Sequence, residues 1–149
     1  AFYSIGNVYF SHEHYNEAKN MFEQAMKKGL HTSDNFFMLG LTLVQLDRGR
    51  FALPYLQRSV ELNENDAEAR FQYGLCLAQQ DLIDESIIQF EKCIELDPVH
   101  TDAYYNLGVS FAFKESAEEA LAMFTKALAI QPDHLLAGHA KNLIENNTN

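Results

Sequence analysis

The sequence has little of several residue types, and each shortage excludes a class of protein. Its 149 residues include no Trp, three Pro, two Cys, and 11 Lys and Arg against 21 Asp and Glu. Cys76 and Cys93 are too few for a disulfide framework and match no metal motif, which is typical of a reducing compartment. The net charge of −10 disfavours nucleic acid and anionic membranes, because phosphate groups are bound by clustered Lys and Arg. No apolar run approaches the roughly 20 residues of a membrane-spanning helix, so we expect a cytoplasmic protein.

What the chain does contain is aromatic and periodic. Eleven Phe and seven Tyr among 47% apolar residues predict a packed core rather than a disordered segment. Four columns recur every 34 positions: a glycine, a small residue, a large apolar residue and a second small residue. These columns are Gly6, Gly40, Gly74 and Gly108; Ala18, Ala52, Ser86 and Ala120; Phe22, Leu56, Phe90 and Phe124; and Ala25, Ser59, Cys93 and Ala127. Four columns in phase over four units indicate a repeat architecture.

Each unit predicts two helices. In the fourth unit, apolar residues at helical spacing run from Asp102 to Phe113 and again, after a polar break, to Ile130. Pro98 follows the second helix of the third unit, where proline is a common stop. The glycine and the small residues are predicted at close helix crossings, with the Phe or Leu filling the space between the helices. The sequence therefore predicts units at residues 1–32, 33–66, 67–100 and 101–134, followed by a helix over 135–147.

At these columns the chain resembles the tetratricopeptide-repeat family. The 34-residue pattern of that family matches the fourth unit almost column by column, over TDAYYNLGVSFAFKESAEEALAMFTKALAIQPDH. The third unit differs at Arg70, where the family usually has an aromatic residue, and the second carries Pro54, expected in the first turn of its second helix. The resemblance implies an all-α, right-handed superhelix of about four helix-turn-helix repeats with a C-terminal capping helix. It also implies one domain over residues 1–149, and because no cap precedes the first unit we expect further repeats before it.

No group of residues indicates catalysis. The sequence lacks a phosphate-binding Gly-rich loop, a nucleophile elbow and an HExxH or CxxC motif, so we expect neither an enzyme nor a bound cofactor. His12 and His14 lie two positions apart, where helical side chains do not face each other, so no metal site is predicted. His100 and His134 follow turn prolines one period apart and are interpreted as part of the repeat's own turn. Cys93 occupies a small-residue column and is predicted to be a buried, unreactive thiol.

Acidic residues form two further columns. The first lies at the turn between the two helices of each unit, at Glu13, Asp47, Asp81 and Glu115. The second lies at the start of each first helix, at Asp34, Glu68 and Asp102. Both are interpreted first as helix caps and as favourable charge near the positive end of helix dipoles, worth about 0.3–1 kcal/mol each. The second column has an alternative interpretation, because in the family those positions open onto the concave face and would form an acidic rim for a basic partner.

An aromatic column on the first helices is the basis of the main functional hypothesis. The column consists of Tyr3, Phe37, Phe71 and Tyr105, which are 34 positions apart. Its residues, and those four and then three positions further on, share one helix face. In the family this face lines a concave groove that receives partner peptides, and the alternative is that these side chains only pack against neighbouring first helices. Phe37 and Phe71 are the best candidates for anchors. The predicted groove residues are Tyr3, Asn7, Phe10, Asp34, Phe37, Leu41, Val44, Glu68, Phe71, Leu75, Asp102, Tyr105, Asn106 and Val109.

The resulting hypothesis is a bacterial scaffold for protein–protein interaction, whose apolar, acid-edged groove binds an apolar or basic segment of a protein or peptide. A groove that clamps a carboxylate is disfavoured, because these positions offer no Lys or Arg. A closer resemblance to one small member of the family implies partners in RNA modification, such as tRNA thiolation. Three alternatives stay open: a secretion-type chaperone holding an apolar segment, a regulatory module of a larger enzyme, and self-association through the empty groove.

Overall fold

The computed structural model describes residues 1–147, and within that range every regular element is an α-helix. The helices are α1 (Phe2–Ser11), α2 (Tyr15–Lys27), α3 (Ser33–Gln45), α4 (Gly49–Leu62), α5 (Ala67–Gln79), α6 (Ile83–Leu96), α7 (Thr101–Phe113), α8 (Ala117–Ile130) and α9 (Leu135–Asn147). The helices α1, α3, α5 and α7 are the first helices of the four units, and α2, α4, α6 and α8 are the second helices. The all-α solenoid with a C-terminal helix, which the resemblance to the family implied, is confirmed. The last two positions of the predicted domain lie outside the described residues.

Successive helices pack against each other in chain order, and the first and second helices differ in their next neighbours. Each first helix also contacts the first helix of the following unit, α1 with α3, α3 with α5 and α5 with α7. Within residues 1–147 the second helices make no contact of similar extent with one another. A stack whose first helices touch while its second helices stand apart curves toward the first helices. The first helices therefore line the concave face, and the second helices form the convex face.

The glycine column marks the closest approach between the two helices of a unit. A Cβ atom added to Gly40 would lie 2.7 Å from the Leu56 side chain, and a Cβ atom in the other three units would lie 2.6–2.7 Å from a Phe ring. These large residues, Phe22, Leu56, Phe90 and Phe124, are at most 1% exposed. Any side chain larger than glycine would therefore displace the residue that fills the core of its unit. The packing role predicted for both columns is confirmed.

The turn between the two helices of each unit is a Schellman motif. In the second unit the amide of Asp47 donates to the Val44 carbonyl at 3.0 Å, and the amide of Arg48 donates to the Leu43 carbonyl at 2.8 Å. The φ angle is 60–63° at the same position of every unit, Glu13, Asp47, Asp81 and Glu115. The prediction that this acidic column caps the following helix is wrong, because no side-chain cap forms at α2, α4, α6 or α8. These residues instead end the first helix in the left-handed region, which glycine adopts with less strain.

Pro54 lies deeper in its helix than the sequence predicted. Because α4 begins at Gly49, directly after the Schellman turn, Pro54 is its sixth residue and the first-turn assignment is wrong. Proline has no amide hydrogen, so the carbonyl of Arg50 lacks the donor it would otherwise have four residues later. Proline in a helix interior costs about 3 kcal/mol relative to alanine. The equivalent residues of the other second helices are Asn20, Ile88 and Ala122.

Both ends of the stack expose apolar side chains. Ile5 and Val8 are exposed on α1, and Leu135 and Leu143 are exposed on α9. The C-terminal helix buries Ala137 in the core of the fourth unit, but its outer face is not wholly polar. The expectation that further repeats precede α1 stays a prediction.

Candidate functional site

The residues predicted to form a groove all lie on the first helices, which line the concave face. Asp34, Glu68, Asp102 and Val109 are exposed, and most of the others are half-buried. The aromatic column also packs sideways into the core: the ring centroids of Tyr3 and Phe22 are 5.8 Å apart, those of Phe71 and Phe90 6.0 Å, and those of Tyr105 and Phe124 5.8 Å. The column is therefore the floor of the concave face, supported from behind by the large residue of each unit.

In the third unit this floor is covered by a histidine. His100 is the N-cap residue of α7, and its Nδ1 accepts the amide hydrogen of Ala103 at 3.1 Å. Because Nδ1 accepts, the hydrogen of the neutral ring is assigned to Nε2, which donates to the Glu68 carboxylate at 3.2 Å. The His100 ring also lies over Phe71, with 4.5 Å between the ring centroids. As a result Phe71 is only 7% exposed, and a partner meets little of the side chain predicted as an anchor.

The fourth unit repeats this arrangement. Nδ1 of His134 accepts the amide hydrogen of Ala137 at 3.1 Å, and its Nε2 lies 3.3 Å from the Asp102 carboxylate. Its ring centroid is 5.3 Å from that of Tyr105. Two of the three carboxylates predicted as an acidic rim, those of Glu68 and Asp102, are thus paired with the histidines that cap α7 and α9.

The first and second units lack such a cover. The residues at the equivalent cap position are Thr32 and Asp66, which accept the amide hydrogens of Asn35 at 3.2 Å and Ala69 at 3.1 Å. Neither side chain carries a ring that would shield the aromatic floor, and Phe37 stays half-buried. The side chain of Asp34 makes no hydrogen bond or ion pair with any other residue of the described chain.

The cap position of each unit is a feature of this face that the sequence patterns did not single out. The cap column consists of Thr32, Asp66, His100 and His134, which lie at the starts of α3, α5, α7 and α9. The two histidines were interpreted as turn residues only, yet they also cover the floor and pair with carboxylates. The signal was available in the period, because the same column changes from Thr and Asp in two units to His in the other two.

Among residues 1–147, no three or more His, Cys, Asp and Glu side chains are grouped so that they could hold a metal ion. Cys76 and Cys93 are at most 1% exposed, as predicted for packed thiols. Burial raises the pKa of Cys76 to about 11, and burial together with Glu68 and Asp97 raises the pKa of Cys93 to about 12, so both thiols are protonated near neutral pH. No helix in this part of the chain is both long and apolar enough to cross a membrane.

Comparisons with known proteins find the same repeat fold. Profiles described as tetratricopeptide repeat match residues 37–98 and residues 1–27 and 101–134. The solved structure of YrrB, described as a TPR protein with an unusual peptide-binding site, is 56% identical, with a TM-score of 0.91 over 95% of this chain and 73% of that chain.

Structures of MamA share the fold at lower identity. One MamA structure is 22% identical, with a TM-score of 0.92 over 97% of this chain and 84% of that chain. A second, MamA from residue 41 onward from Desulfovibrio magneticus RS-1, is 22% identical, with a TM-score of 0.83 over 89% of this chain and 75% of that chain. None of the curated proteins matches the sequence.

Proposed function

The chain belongs to the tetratricopeptide-repeat family, whose members are scaffolds that bind proteins or peptides, and from that premise we propose that its concave face binds a segment of a partner protein along the first and second units. The observation that carries this proposal is the uncovered floor at Phe37, in contrast to the covered floor at Phe71. The description of YrrB as peptide-binding supports an extended segment rather than a small molecule as the ligand.

The chemistry of the open half favours a segment with both apolar and basic side chains. Phe37, Leu41 and Val44 present half-buried apolar surface on α3, and Asn7 on α1 offers an amide that can both donate to and accept from a peptide backbone. The unpaired carboxylate of Asp34 stands at the edge of this surface. A Lys or Arg of the partner would find its counter-ion there, and the net charge of −10 would favour its approach.

The substitution Asp66→His tests this proposal by copying the third unit into the second. A histidine at this position is expected to cap the Ala69 amide, pair with Asp34 and lie over Phe37, as His100 does over Phe71. In affinity capture from the source cells we expect the captured partner to fall at least about tenfold, while the melting temperature is kept. Asp133→His makes the same charge change in an exposed loop at the far end of the stack and should leave capture unchanged.

Salt dependence separates the two parts of the site. Loss of the partner at high salt would assign the binding to Asp34, and retention would assign it to the aromatic floor. Unchanged capture by an Asp66→His variant that melts like the parent would contradict the proposal.

The process in which the partner acts stays a prediction. Assemblies that modify RNA, such as those of tRNA thiolation, are the first partners to test. An apolar exported protein in the captured fraction would favour the chaperone alternative, and an enzyme domain in the complete reading frame would favour the regulatory module.

A further inference from the structure

A cavity of about 630 Å³ opens on the convex face between α2 and α4. Most of the surface area that lines the cavity is apolar. The lining residues are Lys19, Glu23, Leu43, Arg48, Arg50, Phe51, Pro54 and Tyr55. A second hollow, of about 470 Å³ and more polar, lies beside it and is bounded by Gln79 and Gln80 at the end of α5. Both hollows share Arg48, Arg50 and Phe51 as a wall. We name these three residues the α4 ridge.

The α4 ridge departs from the pattern of the other units at a cost to local stability. The residues equivalent to Arg50 and Phe51 are Asp84 and Glu85 in the third unit, and two Glu in the fourth. Acidic residues are stabilised by the positive end of the helix dipole, and an Arg in the same turn is destabilised by it. Phe51 in addition is 65% exposed. Helix stability therefore does not explain why this turn carries Arg and Phe.

Within residues 1–147 the guanidinium groups of the α4 ridge form no ion pair, although Glu23 and Asp47 line the two hollows beside them. In the next unit Asp84 forms an ion pair with Lys114, but the residues at the equivalent positions are Arg50 and the uncharged Gln80. Neither Arg48 nor Arg50 makes an ion pair with another residue of the described chain. Lys19 across the cavity, by contrast, is paired with Glu23 at 2.9 Å. Two unpaired guanidinium groups thus flank an exposed ring on a chain of net charge −10.

We propose that the α4 ridge is a second interaction site, which binds an acidic segment of a partner protein that carries a large apolar side chain between its carboxylates. Guanidinium groups bind carboxylates in a two-pronged geometry, which suits Arg48 and Arg50. The apolar cavity between Phe51, Pro54 and Tyr55 is large enough for a Leu or Phe side chain. The preference is opposite in charge to that of the concave face. One copy of the chain would therefore hold two different segments on opposite faces.

The test uses a short fluorescent peptide of Asp and Glu with interspersed Leu and Phe, and a neutral counterpart with Asn or Gln at every acidic position, because a basic counterpart would bind the concave face. Fluorescence anisotropy is expected to show at least about tenfold tighter binding of the acidic peptide, and this binding should weaken as salt is added. The double variant Arg50→Asp, Phe51→Glu places the chemistry of the third unit in the second. It should lower the affinity for the acidic peptide at least about tenfold without lowering the melting temperature, because both new residues suit a helix N-terminus.

Two controls place the effect at the α4 ridge. Glu118→Gln with Glu119→Gln changes the equivalent turn of the fourth unit and should leave acidic-peptide binding unchanged, as should Asp66→His on the concave face. Absence of binding by the acidic peptide, equal binding of the neutral counterpart, or full binding by the Arg50→Asp, Phe51→Glu variant would each overturn the proposal. Sedimentation that shows a dimer of the parent, dissolved by the same variant, would assign the ridge to a second copy and would also overturn it.

Discussion

The second and third units have the same backbone structure but differ in the side chains that they present on both faces. Each has a glycine against a large core residue, a Schellman turn between its helices and an acceptor that caps the next first helix. On the concave face, Asp66 leaves Phe37 uncovered, whereas His100 covers Phe71. On the convex face, the first turn of α4 is basic and aromatic where that of α6 is acidic.

This difference shows which positions of a repeat are free to carry function. The core columns are constrained by close approach, but an N-cap needs only a hydrogen-bond acceptor. A carboxylate, a hydroxyl and an imidazole Nδ1 all supply one. The cap and first-turn positions therefore change the surface of a unit without changing its place in the stack.

The largest expected effect tests whether the two units have equivalent cores. Leu56→Ala should lower the free energy of unfolding by about 2–5 kcal/mol, and Phe90→Ala by about 3–5 kcal/mol, because each leaves a cavity at a fully buried site. Urea unfolding followed by circular dichroism measures both losses, with Leu143→Ala on the exposed face of α9 as the control. If either core variant lost less than about 1 kcal/mol, the two units would not be packed alike.

The next effect concerns the concave face. His100→Asp converts the third unit to the chemistry of the second, because aspartate can still cap Ala103 but no ring covers Phe71 and Glu68 loses its partner. We expect affinity for a short peptide of Lys, Leu and Phe to rise about tenfold, and the free energy of unfolding to fall by about 1 kcal/mol.

Anisotropy and thermal melting measure these two changes. His139→Asp, the same substitution on an exposed position of α9, should alter neither quantity. Unchanged peptide binding by a folded His100→Asp variant would mean that the histidine cover does not govern access to the floor.

The smallest effect tests a feature that the two units share. Asp47→Gly and Asp81→Gly relieve left-handed backbone at φ angles of 60° and 63°. Each should raise the free energy of unfolding by about 0.5–1 kcal/mol, by the same amount in both units, since glycine adopts this region with less strain but gains freedom when unfolded. Chemical denaturation measures the gain. A loss of stability would show that the carboxylates contribute more to the following helix than the backbone strain costs.

Much of the fold was predictable because each unit repeats the same apolar spacing, small residues and turn residues. The apolar spacing in the fourth unit predicted helices ending at Phe113 and Ile130, and α7 and α8 end at those residues. The prediction for Pro54 failed because the start of α4 depends on the turn before it. The acidic residues at the turns, such as Asp47, were interpreted as N-caps of the second helices. They instead end the first helices, because the Schellman turn and the start of the next helix lie within a few positions of each other.

The sequence by itself determined which helices form and how they stack, because a 34-residue period with small residues at the crossings specifies the same contact in every unit. Helical spacing placed the predicted groove residues on one face of each first helix, and the resemblance to the family implied that this face is concave. Only the tertiary structure decided which rings and carboxylates on that face remain available. Glu68 and His100 are 32 positions apart in the chain and meet only when the start of α7 packs beside α5, so no local pattern reveals that this carboxylate is paired and that the ring beside it is covered.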